Sequence, residues 1–142
     1  MLSRAGGEEQ LRAFLHSHRI LPLAPLLNEH EVLFFRQQAI EPAQQRDLAS
    51  IFGPLQTHPA YGTVAGIPEV MILESTADKP SKIEVWHSDM TFRQHPPSVT
   101  VLRGMVIPNV GGDTLFASMT SAYDALSEGM KVYLEGLVAV HD

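Results

Sequence analysis

Trp86-His87-Ser88-Asp89-Met90-Thr91-Phe92 places an imidazole and a carboxylate two positions apart in text that reads as strand. Alternate residues of an extended chain point to the same face, so His87 and Asp89 can reach one metal ion while Ser88 turns away. Neutral imidazole and carboxylate suit Fe(II): two histidines and one carboxylate occupy one face of an octahedron and leave the other positions open. His87 and Asp89 are therefore two candidate ligands of three. Alone the tripeptide is weak evidence, because a chain with seven histidines also offers surface or hydrogen-bonded pairs at this spacing.

Composition narrows the chemistry. The chain has no cysteine, which removes disulfides, zinc-thiolate sites, iron-sulfur clusters and thiol nucleophiles, and leaves His and carboxylate to hold any metal. With 142 residues, 44% of them apolar and 18% charged, it can bury a core as one domain or part of one. A net charge of -6 with scattered Lys and Arg gives no basic footprint, which argues against nucleic acid and for a small-molecule partner. No apolar run approaches bilayer length, and residues 1–10 carry acidic groups where a signal peptide places its apolar region. The expectation is a cytoplasmic protein with no membrane partner.

Elements that must position the pair follow in order. Residues 8–15 have helical spacing of apolar side chains, interrupted by Pro22 and Pro25. Glu31 to Arg36 is a compact apolar run that predicts a buried strand. Glu41-Pro42 opens a helix with apolar Leu48, Ile51 and Phe52, and Gly53-Pro54 closes it. A loop follows from Leu55 to Gly66, then a strand at Val70 to Leu73 and a polar loop at 75–81. Strands are expected at 84–92 and 98–107, the second alternating Val99, Val101 and Arg103 against Thr100, Leu102 and Gly104, with a turn at His95-Pro96-Pro97 between them. Asn109 to Asp113 is a tight turn, and helical text runs from Thr120 to Leu126 and Ser127 to Leu137. The fold class is β-rich α+β, a strand-dominated middle flanked by helices. The chain stops at Val140-His141-Asp142, soon after a helix that needs something to pack on, and the expectation is a single incomplete domain over 1–142.

Several of these segments together resemble the TauD/TfdA family of Fe(II)- and 2-oxoglutarate-dependent dioxygenases. They are Trp86 to Phe92, Pro96-Pro97, Gly111-Gly112-Asp113-Thr114-Leu115-Phe116 and Ala122-Tyr123-Asp124-Ala125-Leu126, and upstream Val32 to Arg36 and Phe52 to Pro59. The resemblance spans about residues 24–142. It implies a partial double-stranded β-helix (jelly roll) with flanking helices, His87 and Asp89 as the first two iron ligands, and Fe(II), 2-oxoglutarate and O2 as cofactor and co-substrates. Thr114 resembles the family threonine that hydrogen-bonds a 2-oxoglutarate carboxylate. The implied reaction hydroxylates a small organic acid, such as an alkyl sulfonate or sulfate, while 2-oxoglutarate is decarboxylated to succinate and CO2.

His58 and Tyr61, in Thr57-His58-Pro59-Ala60-Tyr61, are similar to substrate-contacting positions of taurine-cleaving members, and Met90 and Phe92 to positions that line the substrate pocket. Each also has a plainer reading, His58 as a solvated loop residue and Phe92 as core packing. Four residues before His87, where taurine-cleaving members carry an asparagine facing the substrate amine, this chain has Ile83, whose apolar side chain cannot make that hydrogen bond to an amine. An anionic substrate without an amine is therefore expected.

In the family the third ligand, a distal histidine, and the arginine that pairs with 2-oxoglutarate lie much farther along than residues 90–142 reach. His95 and His141 are not convincing replacements. The resemblance therefore implies an N-terminal half, whose partner is a complementing C-terminal half or a second copy in a homo-oligomer. The alternative is a catalytically inactive remnant or partner-dependent binding module. A small cupin-like metal protein using His87, Asp89 and His58 is a third reading.

Overall fold

A computed structural model describes residues 23–80, 83 and 85–140. The helix expected at 8–15 lies outside them, as does His141. Four helices and one two-stranded sheet are formed among the described residues.

Helix α1 spans Leu23–His30. Pro25, expected as an interruption, sits instead in its first turn, where the missing N–H has no intrahelical partner to lose. The chain leaves α1 through Glu31 in the left-handed region (φ 61). A second left-handed residue, Gln37 (φ 57), bounds the run that was expected to be a strand. Glu31 to Arg36 forms no ladder among the described residues. β-propensity specifies a segment that fits a sheet, but a ladder needs a neighbouring edge, and none among the described residues pairs with this run. The run is held by side chains instead: Leu33 packs on Leu23, and Phe34 meets Phe116 edge to face at 5.9 Å.

Helix α2 spans Pro42–Ser50, as the Glu41-Pro42 signal predicts. Pro42 stands at the first helical position, and Gln44 reaches back so that Glu41 N–H donates to its Oε1 at 2.7 Å. Gly53 (φ +136) and Pro54 follow its end. Leu48 and Phe52 pack with Leu33 on Leu23, the most buried apolar side chain among the described residues at 5% exposure.

Strands β1 (Thr63–Val64) and β2 (Ile67–Met71) pair antiparallel around Ala65-Gly66, and Gly66 takes φ +77 at the reversal. The strand expected at Val70 to Leu73 thus starts earlier and ends at Met71, and part of the expected loop is β1. Helix α2 packs on β2, whose Val70 is buried.

Beyond β2 the strands expected at 84–92 and 98–107 form no ladder among the described residues. Burial nonetheless alternates from 99 to 104: Val99, Val101 and Arg103 are half-buried, and Thr100, Leu102 and Gly104 are exposed. The segment keeps the period of a strand without a partner. After the reversal at Gly111 (φ 78) and Gly112 (φ 73) come α3 (Met119–Asp124) and α4 (Glu128–Leu134), capped by Ser118 and Ser127. Ser118 Oγ also donates to Glu31 Oε1 at 2.9 Å, tying α3 to the exit of α1.

Candidate functional site

His87 and Asp89 do not lie on a paired strand, so strand alternation is not what brings them together. Asp89 to Phe92 form a turn, with Met90 in the left-handed region (φ 54) and Arg93 N–H donating to the Met90 carbonyl at 3.0 Å. A bulky residue there stores backbone strain of about 1–2 kcal/mol. Hydrogen bonds aim the two side chains. His87 Nδ1 lies 2.9 Å from the Val85 carbonyl. A carbonyl only accepts, so Nδ1 carries the proton and Nε2 presents its lone pair. Thr100 Oγ1 donates to Asp89 Oδ2 at 3.1 Å, which leaves Oδ1 towards His87.

Nε2 of His87 and Oδ1 of Asp89 stand 3.4 Å apart, both side chains half-exposed. Two donors about 2.1 Å from one octahedral ion and at right angles to each other stand about 3.0 Å apart. The donor types, their orientation and their spacing therefore fit a shared metal ion. Among the described residues no cluster of three or more His, Cys, Asp or Glu is placed to hold one. His58 does not join His87 and Asp89, against the cupin-like reading, and the His95 contribution is a backbone carbonyl that accepts from Gln56 Nε2 at 3.1 Å.

The other candidates from the loop do converge. The His58 and Tyr61 rings lie 4.9 Å apart, and Phe92 stands edge-on to His58 at 6.3 Å. Ala60 N–H donates to His58 Nδ1 at 3.1 Å, so a neutral His58 carries its proton on Nε2 and can donate to an anion. Arg93 joins this loop to the turn. Its Nη1 donates to Gln56 Oε1 at 3.0 Å and its Nη2 to the Thr57 carbonyl at 2.9 Å. Met90 is half-buried within the turn, whereas Thr114 is exposed on the segment after Gly112 and makes no hydrogen bond to His87 or Asp89.

Sequence reasoning missed Thr100, Arg93 and Gln56. The only signal for Thr100 was a hydroxyl on the face opposite two valines, and for Arg93 a cation directly after Phe92, in need of acceptors.

His87 Nε2 and Asp89 Oδ1 thus converge, and Phe92, on the turn that carries Asp89, meets the His58 ring of an aromatic loop. The family model "Taurine catabolism dioxygenase TauD, TfdA family" matches residues 5–142, and the chain belongs to that family. The family has a jelly-roll fold, of which the small sheet and helices here are a compatible part, and its members are oxidoreductases that use Fe(II), 2-oxoglutarate and O2. The chain is 38% identical to an alkylsulfatase of Acinetobacter baylyi over 92% of its own length and 41% of the relative's. It is 34% identical to an alpha-ketoglutarate-dependent 2,4-dichlorophenoxyacetate dioxygenase of Cupriavidus pinatubonensis, over 99% and 55%. It is 33% identical to an alpha-ketoglutarate-dependent sulfate ester dioxygenase of Pseudomonas putida, over 81% and 38%. The chain thus spans about half the length of these relatives or less.

Proposed function

We propose that this chain supplies the N-terminal part of the active site of an Fe(II)- and 2-oxoglutarate-dependent dioxygenase that hydroxylates a small organic acid, such as an alkyl sulfonate or sulfate. The observation that carries the reading is the His87 Nε2 to Asp89 Oδ1 spacing of 3.4 Å, with the imidazole proton held on Nδ1 and Asp89 on the same turn as Phe92. His87 and Asp89 would hold the iron. Bound there with 2-oxoglutarate and O2, the iron supplies the oxidation of an unactivated C–H bond, coupled to decarboxylation of 2-oxoglutarate to succinate.

The chain's own residues provide binding and orientation. His58 Nε2–H meets the anionic head of the substrate, and Tyr61 the other end. Met90 and Phe92 flank the substrate on the turn that carries Asp89, so ligand and substrate share one short piece of backbone. Thr114 donates to a carboxylate of 2-oxoglutarate. The names of the alkylsulfatase and sulfate ester dioxygenase relatives favour an alkyl sulfate, and Ile83 disfavours an amine-bearing substrate.

The same reading places the third ligand and the covering strands outside these 142 residues. Apolar side chains before the turn and after the alternating segment are open, among them Val85 (76% exposed), Trp86 (68%) and Val106 (91%). A soluble monomer rarely leaves such a surface uncovered. Strands from a complementing C-terminal half would pair with residues 98–107 and cover that surface.

The test is to join the chain to the C-terminal part of the Acinetobacter alkylsulfatase and to measure succinate with Fe(II), ascorbate, 2-oxoglutarate and either an alkyl sulfate or taurine. The expected result is succinate formation dependent on the alkyl sulfate, lost in His87→Ala and in Asp89→Ala, and absent from the 142-residue chain alone. Turnover that survives His87→Ala overturns the iron assignment. A strong preference for taurine overturns the use of Ile83, and robust turnover by the chain alone overturns the need for a second half.

A further inference from the structure

The two carboxylate oxygens of Asp89 have different surroundings. Oδ1 faces His87 Nε2 at 3.4 Å, and Oδ2 accepts from Thr100 Oγ1 at 3.1 Å. Asp89 and Thr100 are eleven residues apart and belong to different segments, so this contact is tertiary. A free carboxylate can offer a metal one oxygen or two, and two-point binding uses a coordination position that a reacting ligand would need. A hydroxyl donating to one oxygen decides the matter in favour of the other.

Thr100 is in turn held in place. Period-two burial puts it on the face opposite Val99 and Val101, and the Val101 carbonyl accepts from Gln45 Nε2 of α2 at 3.1 Å in a half-buried contact. Gln45 thus fixes the backbone beside Thr100, Thr100 fixes Oδ2, and Oδ1 is left beside Nε2. The Val85 carbonyl does the corresponding work for His87 through Nδ1.

We propose that Thr100 is a positioning residue for the metal site: its hydroxyl occupies Oδ2 of Asp89 and presents Oδ1 as a single-oxygen ligand beside His87, with Gln45 anchoring the segment that carries it. The proposal rests on the reading of His87 and Asp89 as metal ligands.

The test is a Co(II) titration of the 142-residue chain, followed by the paramagnetic shift of the His87 ring protons. Wild type, Thr100→Val, Thr100→Ser and Asp89→Ala are compared. Thr100→Val keeps the shape and loses the donor, and its Co(II) affinity falls about tenfold, the low end for loss of such a support because water can replace a donor on an exposed site. Thr100→Ser retains wild-type affinity, and Asp89→Ala loses the shift. A readout without metal accompanies it: the 13C carboxyl resonance of Asp89 moves in Thr100→Val and stays in Thr100→Ser. Equal affinity in wild type and Thr100→Val, or equal loss in the Val and Ser variants, overturns the role of Thr100 alone. Absence of any His87 shift in wild type overturns the metal-site reading, and the role of Thr100 falls with it.

Discussion

Replacing Arg93 by methionine removes the side chain that joins the His58 loop to the turn of the metal-ligand pair. Two hydrogen bonds from a guanidinium are lost: Nη1 to Gln56 Oε1 at 3.0 Å, half-buried, and Nη2 to the Thr57 carbonyl at 2.9 Å, exposed. Bonds to a charged partner contribute about 1.5–3 kcal/mol when sheltered and less when water competes, and with solvent able to replace much of both, the pair contributes about 2 kcal/mol. That energy resists local opening, so the opening constant of the 56–61 loop rises about thirtyfold. Native-state hydrogen exchange reads it at the Ala60 amide, which donates to His58 Nδ1. Arg93→Lys keeps the charge but not the fork that reaches two acceptors, and should recover part of the protection. The His58 and Phe92 rings, 6.3 Å apart in the wild type, should lose their mutual NOE in the methionine variant. Unchanged exchange at Ala60 with the NOE retained would refute the clamp, since the loop would then be held by the rings and His58 alone.

Two further outcomes test the framework. Leu23→Ala removes the buried side chain on which Leu33, Leu48 and Phe52 pack, and should cost about 2–3 kcal/mol in urea denaturation; a loss below about 1 kcal/mol would mean that this cluster does not hold α1 to α2. Gly112→Ala should be more destabilising than Gly111→Ala, with both costing about 1–2 kcal/mol for their left-handed backbone. The difference arises because a Cβ at Gly112 would meet Pro108 Cγ at 3.1 Å, whereas one at Gly111 meets open space. Thermal melts compare them, and equal midpoints would refute the steric argument.

What could be read without a structure was whatever depends on neighbours along the chain. The Glu41-Pro42 start of α2, the glycine turns, the two late helices and the period-two pattern at 99–104 are local, since capping, backbone freedom and side-chain alternation act within a few residues. Ladders were not legible, because a strand's hydrogen bonds belong to its neighbour; segments 31–36, 84–92 and 98–107 have strand composition and no partner among the described residues. The motif residues identified the family, with His87 and Asp89 as its candidate ligands. Tertiary structure decided how that pair is aimed. A local turn with a left-handed Met90 replaces the expected strand and the neighbouring Val85 carbonyl holds the imidazole proton, while Thr100, from another segment, selects the carboxylate oxygen. Arg93 ties the loop whose His58 meets Phe92 to the turn, across more than thirty residues. Residue types state which atoms can bind a metal and an anion, whereas the direction in which the Asp89 carboxylate and the His58 loop point depends on Thr100 and Arg93, partners that only the folded chain brings near.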